Sequence, residues 1–181
     1  VPYYACLADH VLVVERKETT VKPQSAPDPV FMQRAIHLAT ENVRSGSGGP
    51  FAALIVKDGV VVAEAANSVT TTNDPTAHGE VNAIRKACAV LGSYFLEGCE
   101  IYTSSEPCPM CLGAIYWARI SRIFFGNDYQ SAERAGFSDS FLYRQMGLER
   151  DERTIPTQQL MAPEAWSSFQ LWIESDNRID Y

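Results

Sequence analysis

Several things are scarce in this chain of 181 residues, and each scarcity narrows its class. Five cysteines are too few for a disulfide-dense secreted scaffold. No apolar run approaches the roughly 18 to 20 residues that cross a bilayer, and no charged-apolar-small leader pattern opens the chain. A cytoplasmic address and no membrane partner are therefore expected. Basic residues are in the minority, with 15 Lys and Arg against 22 Asp and Glu and a formal charge of −7. A surface of that sign repels phosphates, so no nucleic-acid partner is expected. Internal repeats and low-complexity tracts are absent. Against these gaps stands a 46% share of hydrophobic residues with 20% charged, enough to bury one core in a chain of single-domain size.

Residues 1–28 hold a strand-like run, His10 to Glu15, then a polar, Pro-containing stretch from Thr19 to Pro29. They read as a flexible extension before a domain over 29–181. From Pro29, the apolar positions Val30, Ala35, Ile36, Leu38, Ala39 and Val43 recur at helical spacing until Ser45-Gly46-Ser47-Gly48-Gly49-Pro50 ends the helix. Strands Phe51 to Lys57 and Val60 to Ala66 flank Asp58-Gly59, a pair suited to a tight type I′ hairpin turn. A helix from His78 to Leu91, a strand from Glu100 to Ser104, a helix from Cys108 to Ala118 and a strand from Arg122 to Gly126 follow. Beyond residue 128 the pattern weakens to helical pieces at Gln130 to Ala135, Phe141 to Met146 and Pro163 to Glu174, with a strand or loop near Thr157 to Leu160. This order predicts an α/β fold, a three-layer α/β/α sandwich around a central mixed sheet of about five strands.

His78-Gly79-Glu80 and Pro107-Cys108-Pro109-Met110-Cys111 carry the chemistry, because each group lies where a strand or loop hands over to a helix. Cys108 and Cys111, three apart, share one helix face and can grip one ion. Helix-end amides favour the thiolates that the ion requires. Zinc prefers sulfur and imidazole nitrogen, and three such ligands with water as the fourth is its catalytic arrangement. A fourth protein ligand would come from Cys6, Cys88, Cys99, His10, His37 or a nearby carboxylate. Cys88 stands ten residues along the helix of His78, roughly 15 Å away, and cannot reach; water fits better. The other cysteines read most simply as small buried apolar residues. Glu80, beside such a water, can take its proton and deliver it to a leaving amine. H-x-E followed by P-C-x-x-C, at two helix starts about thirty residues apart, is the zinc nucleobase-deaminase signature.

With these residues the chain resembles the cytidine and deoxycytidylate deaminase superfamily, and within it the small bacterial-type guanine deaminases. The likeness runs from about Pro29 to Tyr181. It is carried by Gly48-Gly49-Pro50-Phe51, Asn67, Asp74-Pro75-Thr76-Ala77-His78, the run from Glu106 to Ile115, and Gly136-Phe137-Ser138-Asp139. The resemblance implies one zinc per subunit held by His78, Cys108 and Cys111, with Glu80 as proton shuttle. It implies hydrolytic deamination of guanine to xanthine and ammonia. It further implies that Asn67 hydrogen-bonds the purine, that Phe51 lines the base pocket, and that Asp139 contacts the substrate or moves a proton near the departing amine. A homodimer is implied, in which the C-terminal segment crosses to the second subunit and Tyr181 caps the partner's pocket.

Plainer readings stand beside these. Glu80 suits any helix first turn, Asn67 a side-chain turn, Phe51 a core strand, Asp139 a helix N-cap before Ser140 and Tyr181 a frayed end. Rival functions are a guanosine or other nucleoside deaminase, a tRNA-adenosine deaminase, and a zinc-stapled module without catalysis, which needs four protein ligands. The acidic run from Ile173 to Tyr181 speaks against tRNA. Where the family usually has alanine, this chain has Gly79, and a slightly looser first helical turn with retained activity is expected.

Overall fold

The computed structural model describes residues 26–181 and, ahead of them, the backbone of two short antiparallel strands, β1 (Ala5–Leu7) and β2 (His10–Leu12). The expected strand at His10 is described over His10–Leu12. Residues 13–15, and the expected linker up to residue 25, lie outside the described residues, as do the side chains of Cys6 and His10.

Helix α1 (Pro29–Arg44) begins where the Asp28 carboxylate accepts from the Val30 N–H at 2.9 Å, with proline in the first turn. Its inward stripe differs from the one expected. Ala35 and Ala39 are buried, with Phe31, Met32 and Leu38 packed beside them, whereas Val30, Ile36 and Val43 face solvent. Positions 31/32, 35, 38/39 and 42 repeat at true helical spacing, and the polar Asn42 completes that stripe.

The hairpin β3 (Ala52–Lys57) and β4 (Val60–Ala66) turns at Asp58 and Gly59, whose φ values of 50° and 76° suit the tight turn expected. A short helix α2 (Val69–Thr72), absent from the sequence expectation, leads to α3 (Gly79–Leu91). Then come β5 (Cys99–Ser105), α4 (Pro109–Trp117) and β6 (Arg122–Asn127). The sheet order is β4-β3-β5-β6, antiparallel except for β5 with β6, which α4 connects as a crossover. Side chains alternate along β3: Leu54 and Val56 join Tyr102 under α1, while Ala53 and Ile55 join Ile101 under α3 and α4. This is the three-layer sandwich, with four strands in its sheet among the described residues rather than about five. Residues 157–160 form no strand; they are exposed, and Pro156 before them lacks a backbone donor.

The last third comprises α5 (Tyr129–Arg134), α6 (Asp139–Gly147), a 3₁₀ turn at Arg150–Glu152 and α7 (Ala162–Glu174). Among the described residues no helix is long and apolar enough to cross a membrane.

Gly79 is not a loose point. It is buried at the first position of α3, and a Cβ there would come within 2.9 Å of the Ala52 Cα and 3.2 Å of its N and C atoms. The obstacle is the backbone of a central strand, which cannot swing aside. Overpacking costs about 1–3 kcal/mol, against about 1 kcal/mol gained in helix propensity. Gly79→Ala is expected to lower the melting temperature by a few degrees in a thermal unfolding scan; a rise would show that α3 can stand further from β3 at little cost.

Candidate active site

Two helix starts meet beyond the C-terminal end of β5. His78 is the N-cap of α3 and Cys108 the N-cap of α4, both with extended backbone and neither using its side chain to cap. That leaves the imidazole and the thiol free to turn toward each other. Cys111, one turn into α4 and fully buried, completes the group. The Nδ1 of His78 lies 3.7 Å from the Cys108 Sγ and 3.5 Å from the Cys111 Sγ, and all three donor atoms fall within 4.8 Å of one another. A tetrahedral zinc with bonds of about 2.3 Å to sulfur and about 2.0–2.1 Å to nitrogen has S···N edges of about 3.5 Å. The donor set fits that ion in both chemistry and spacing.

Among the described residues this cluster has three donors and no fourth. Cys99 is buried in the core and Cys88 packs against it, as expected of small apolar residues, and His37 is exposed on α1. Three protein ligands is the catalytic kind of zinc centre rather than the structural kind. The ligand thiols are electrostatically bound together. Hydrogen bonding from Cys111 pulls the Cys108 thiol down into the acidic range, and the same pairing, with burial, pushes Cys111 up. The pairing favours the thiolate at Cys108, and binding a divalent cation favours it at both sulfurs.

Glu80 follows His78 by two residues in the first turn of α3 and is only 4% exposed. Burial pushes its carboxyl up to about 7, and a cation in the cluster acts in the opposite sense. A first-turn acid placed only for the helix dipole would sit in solvent, so the plainer reading does not describe this residue.

A cavity of about 430 Å3 opens over the cluster, lined by His78, Glu80 and Cys108 together with Asn67, Phe51 and Asp139. With Cys111 in the cluster, the structure therefore brings seven of the expected site residues to one place. Asn67 serves two ends. Its Oδ1 accepts from the Val69 N–H at 3.2 Å, the side-chain turn of the plainer reading, while its Nδ2 has no partner among the described residues. Asn42, a buried residue the sequence reading passed over, holds this strand end by donating from Nδ2 to the carbonyls of Gly49 (2.8 Å) and Asn67 (2.9 Å). Asp139 is not the N-cap of α6; Ser138 is. The Asp139 carboxyl is raised by burial, then by the nearby Cys108. Tyr181 stays outside its own chain's cavity, with its ring 6.2 Å from that of Trp117.

Two lining residues carried no role in the sequence reading. Phe137 meets Phe51 edge-to-face, centroids 4.7 Å apart at 81°. Glu106 lines the wall while its Oε2 accepts from the Tyr129 N–H at 3.0 Å. With Glu80 and Asp139, three carboxyl groups face the space, and among the described residues no Lys or Arg does. Such a lining disfavours phosphate and suits a neutral heterocycle.

The sequence model of the cytidine and deoxycytidylate deaminase zinc-binding region matches residues 26–127, and the chain belongs to that family of zinc-dependent deaminases. The guanine deaminase of Bacillus subtilis (strain 168) is 55% identical over 151 residues, 83% of this chain and 97% of that protein. An X-ray structure of guanine deaminase from Bacillus subtilis matches with a TM-score of 0.83 and 53% identity, covering 86% of this chain and 99% of that one. A tRNA-specific adenosine deaminase of Aquifex aeolicus (strain VF5) is 47% identical over 95 residues, but these span 52% of this chain and 62% of the relative.

Removing one sulfur should empty the centre. Changes in outer-shell partners already weaken metal binding roughly 10–100-fold, so Cys111→Ala is expected to lower zinc affinity by more than about a hundredfold. Competition against a chromogenic chelator measures this; retention of tight zinc would remove Cys111 from the ligand set.

Proposed function

We propose that the protein deaminates guanine hydrolytically, guanine and water giving xanthine and ammonia. The observation that carries this is the cavity itself, a space large enough for a purine base, floored by a three-donor zinc site and walled by carboxyl groups without a cationic side chain. Likeness to the Bacillus enzyme over nearly its whole length supports the same substrate, whereas the match to the tRNA enzyme spans only about half of this chain.

Zinc held by His78, Cys108 and Cys111 supplies a Lewis acid that makes water a nucleophile near neutral pH. The chain's own groups then divide the proton work. The Glu80 carboxylate accepts the proton of the attacking water and passes it to a ring nitrogen of the base. Glu80 then takes the remaining proton of the added hydroxyl and delivers it to the amino group at C2, as the C–N bond breaks and the C2 carbonyl forms; Asp139 lines the same cavity. Asn67 offers an amide to the edge of the purine, and Phe51 with Phe137 bounds its ring.

The same reading includes a cytoplasmic homodimer. Helix α4 is apolar on every side, as buried helices are, yet Tyr116 and Trp117 are 71% and 70% exposed. Helix α7 likewise turns Trp166, Phe169 and Trp172 outward. A second copy covers both surfaces, and exchange of the C-terminal segments carries Tyr181 to the partner's cavity.

Three measurements test these points. Glu80→Gln is expected to keep zinc and to lose turnover by at least about 10²–10⁴-fold; full activity would remove Glu80 from the reaction. Guanine should lead guanosine, adenine, cytosine and cytidine in an ammonia-release screen of the zinc-loaded protein, and a lead by any other compound would reassign the substrate. Sedimentation equilibrium should return twice the chain mass, whereas a monomer retaining full activity would dismiss the exchanged segment.

A further inference from the structure

Helix α6 starts with Asp139, and Tyr143 follows one turn later on the same face. The Tyr143 hydroxyl donates to the carbonyl of Pro107 at 2.8 Å, across 36 residues of chain. Pro107 is buried and immediately precedes the ligand Cys108, and no other donor among the described residues reaches its carbonyl. The remaining ties of α6 run elsewhere. Ser140 donates to Glu133 on α5 at 2.8 Å, Gln145 accepts from Thr154, and Phe137 rests on Phe51. Among the described residues, the phenol is thus the one hydrogen-bonded link from α6 to the cysteine loop.

We infer that Tyr143 is a positioning residue, whose bond to the Pro107 carbonyl fixes α6 against the zinc-binding loop and thereby places the Asp139 carboxyl over the cavity. The inference rests on the proposed part of Asp139 in the reaction. Asp139 is the first residue of its helix, and its carboxylate has no hydrogen bond to another described residue, so its place is set by the helix that carries it. Without that bond, and among the described residues, α6 would be hydrogen-bonded only to α5 and to Thr154, and could tilt on the faces it packs against α4 and α5. Anchoring it one turn beyond Asp139 removes that freedom, and small misplacements of reacting groups are costly in rate.

The test is a double-mutant cycle on the zinc-loaded protein, with zinc content measured on every variant. Tyr143→Phe keeps the ring, which lies 6.4 Å from that of Tyr129, and removes only the hydroxyl. It should lower kcat/KM for guanine by about tenfold with full zinc. In a protein already carrying Asp139→Asn it should cost nothing further. Multiplied losses in the double variant, or wild-type turnover of Tyr143→Phe, would overturn the inference. Zinc loss from Tyr143→Phe would overturn it too, by assigning the bond to the metal loop alone. Asp139→Asn measured by itself separates the two levels: wild-type activity there withdraws the role of Asp139 and the inference with it, but leaves guanine deamination standing.

Discussion

Everything in this molecule depends on two helix starts being pressed together at one end of a sheet. His78 and Cys108 are both N-caps whose side chains do no capping, so the first-turn amides of α3 and α4 point their partial positive charge at a shared space. The two sulfurs occupy it as a close pair, in which Cys108 is held toward its thiolate form, the form a metal cation binds. Sheet order makes the meeting possible. Strands β3 and β5 are neighbours, so the helix lying on β3 and the helix leaving β5 begin side by side. The absent side chain at Gly79 lets α3 settle against Ala52 closely enough to keep that spacing.

Much of this was legible in the sequence because it is local. His78 and Glu80 are two residues apart and Cys108 and Cys111 three apart, and helical geometry alone then fixes which way they face. The turn at Asp58-Gly59 and the core helices were legible for the same reason. The apolar stripe of α1 was not, since Val30 and Ile36 look as suitable for burial as Phe31 and Met32 until the sheet chooses a face. Nor were Asn42, Glu106, Phe137 and Tyr143, whose partners stand across loops and layers rather than along one helix. Such contacts depend on how elements approach, and neither spacing nor residue type encodes that approach.

The site also divides by burial. Its floor is built from residues in or beside the central strands, mostly buried. Its roof, with Phe137 and Asp139, comes from the stretch entering α6, more exposed and joined to the floor through side-chain contacts such as Phe137 on Phe51. The metal-binding residues and the cover over the base thus come from different parts of the chain.

The acidic lining of the cavity has a consequence for the end of the proposed turnover. Guanine enters uncharged, but xanthine is the stronger acid of the two and tends toward an anion. Glu80, Glu106 and Asp139 line its cavity, and each of them that is ionised repels that anion. The new oxo group thus loosens the hold on the product, so that release is faster than it would be from a neutral lining.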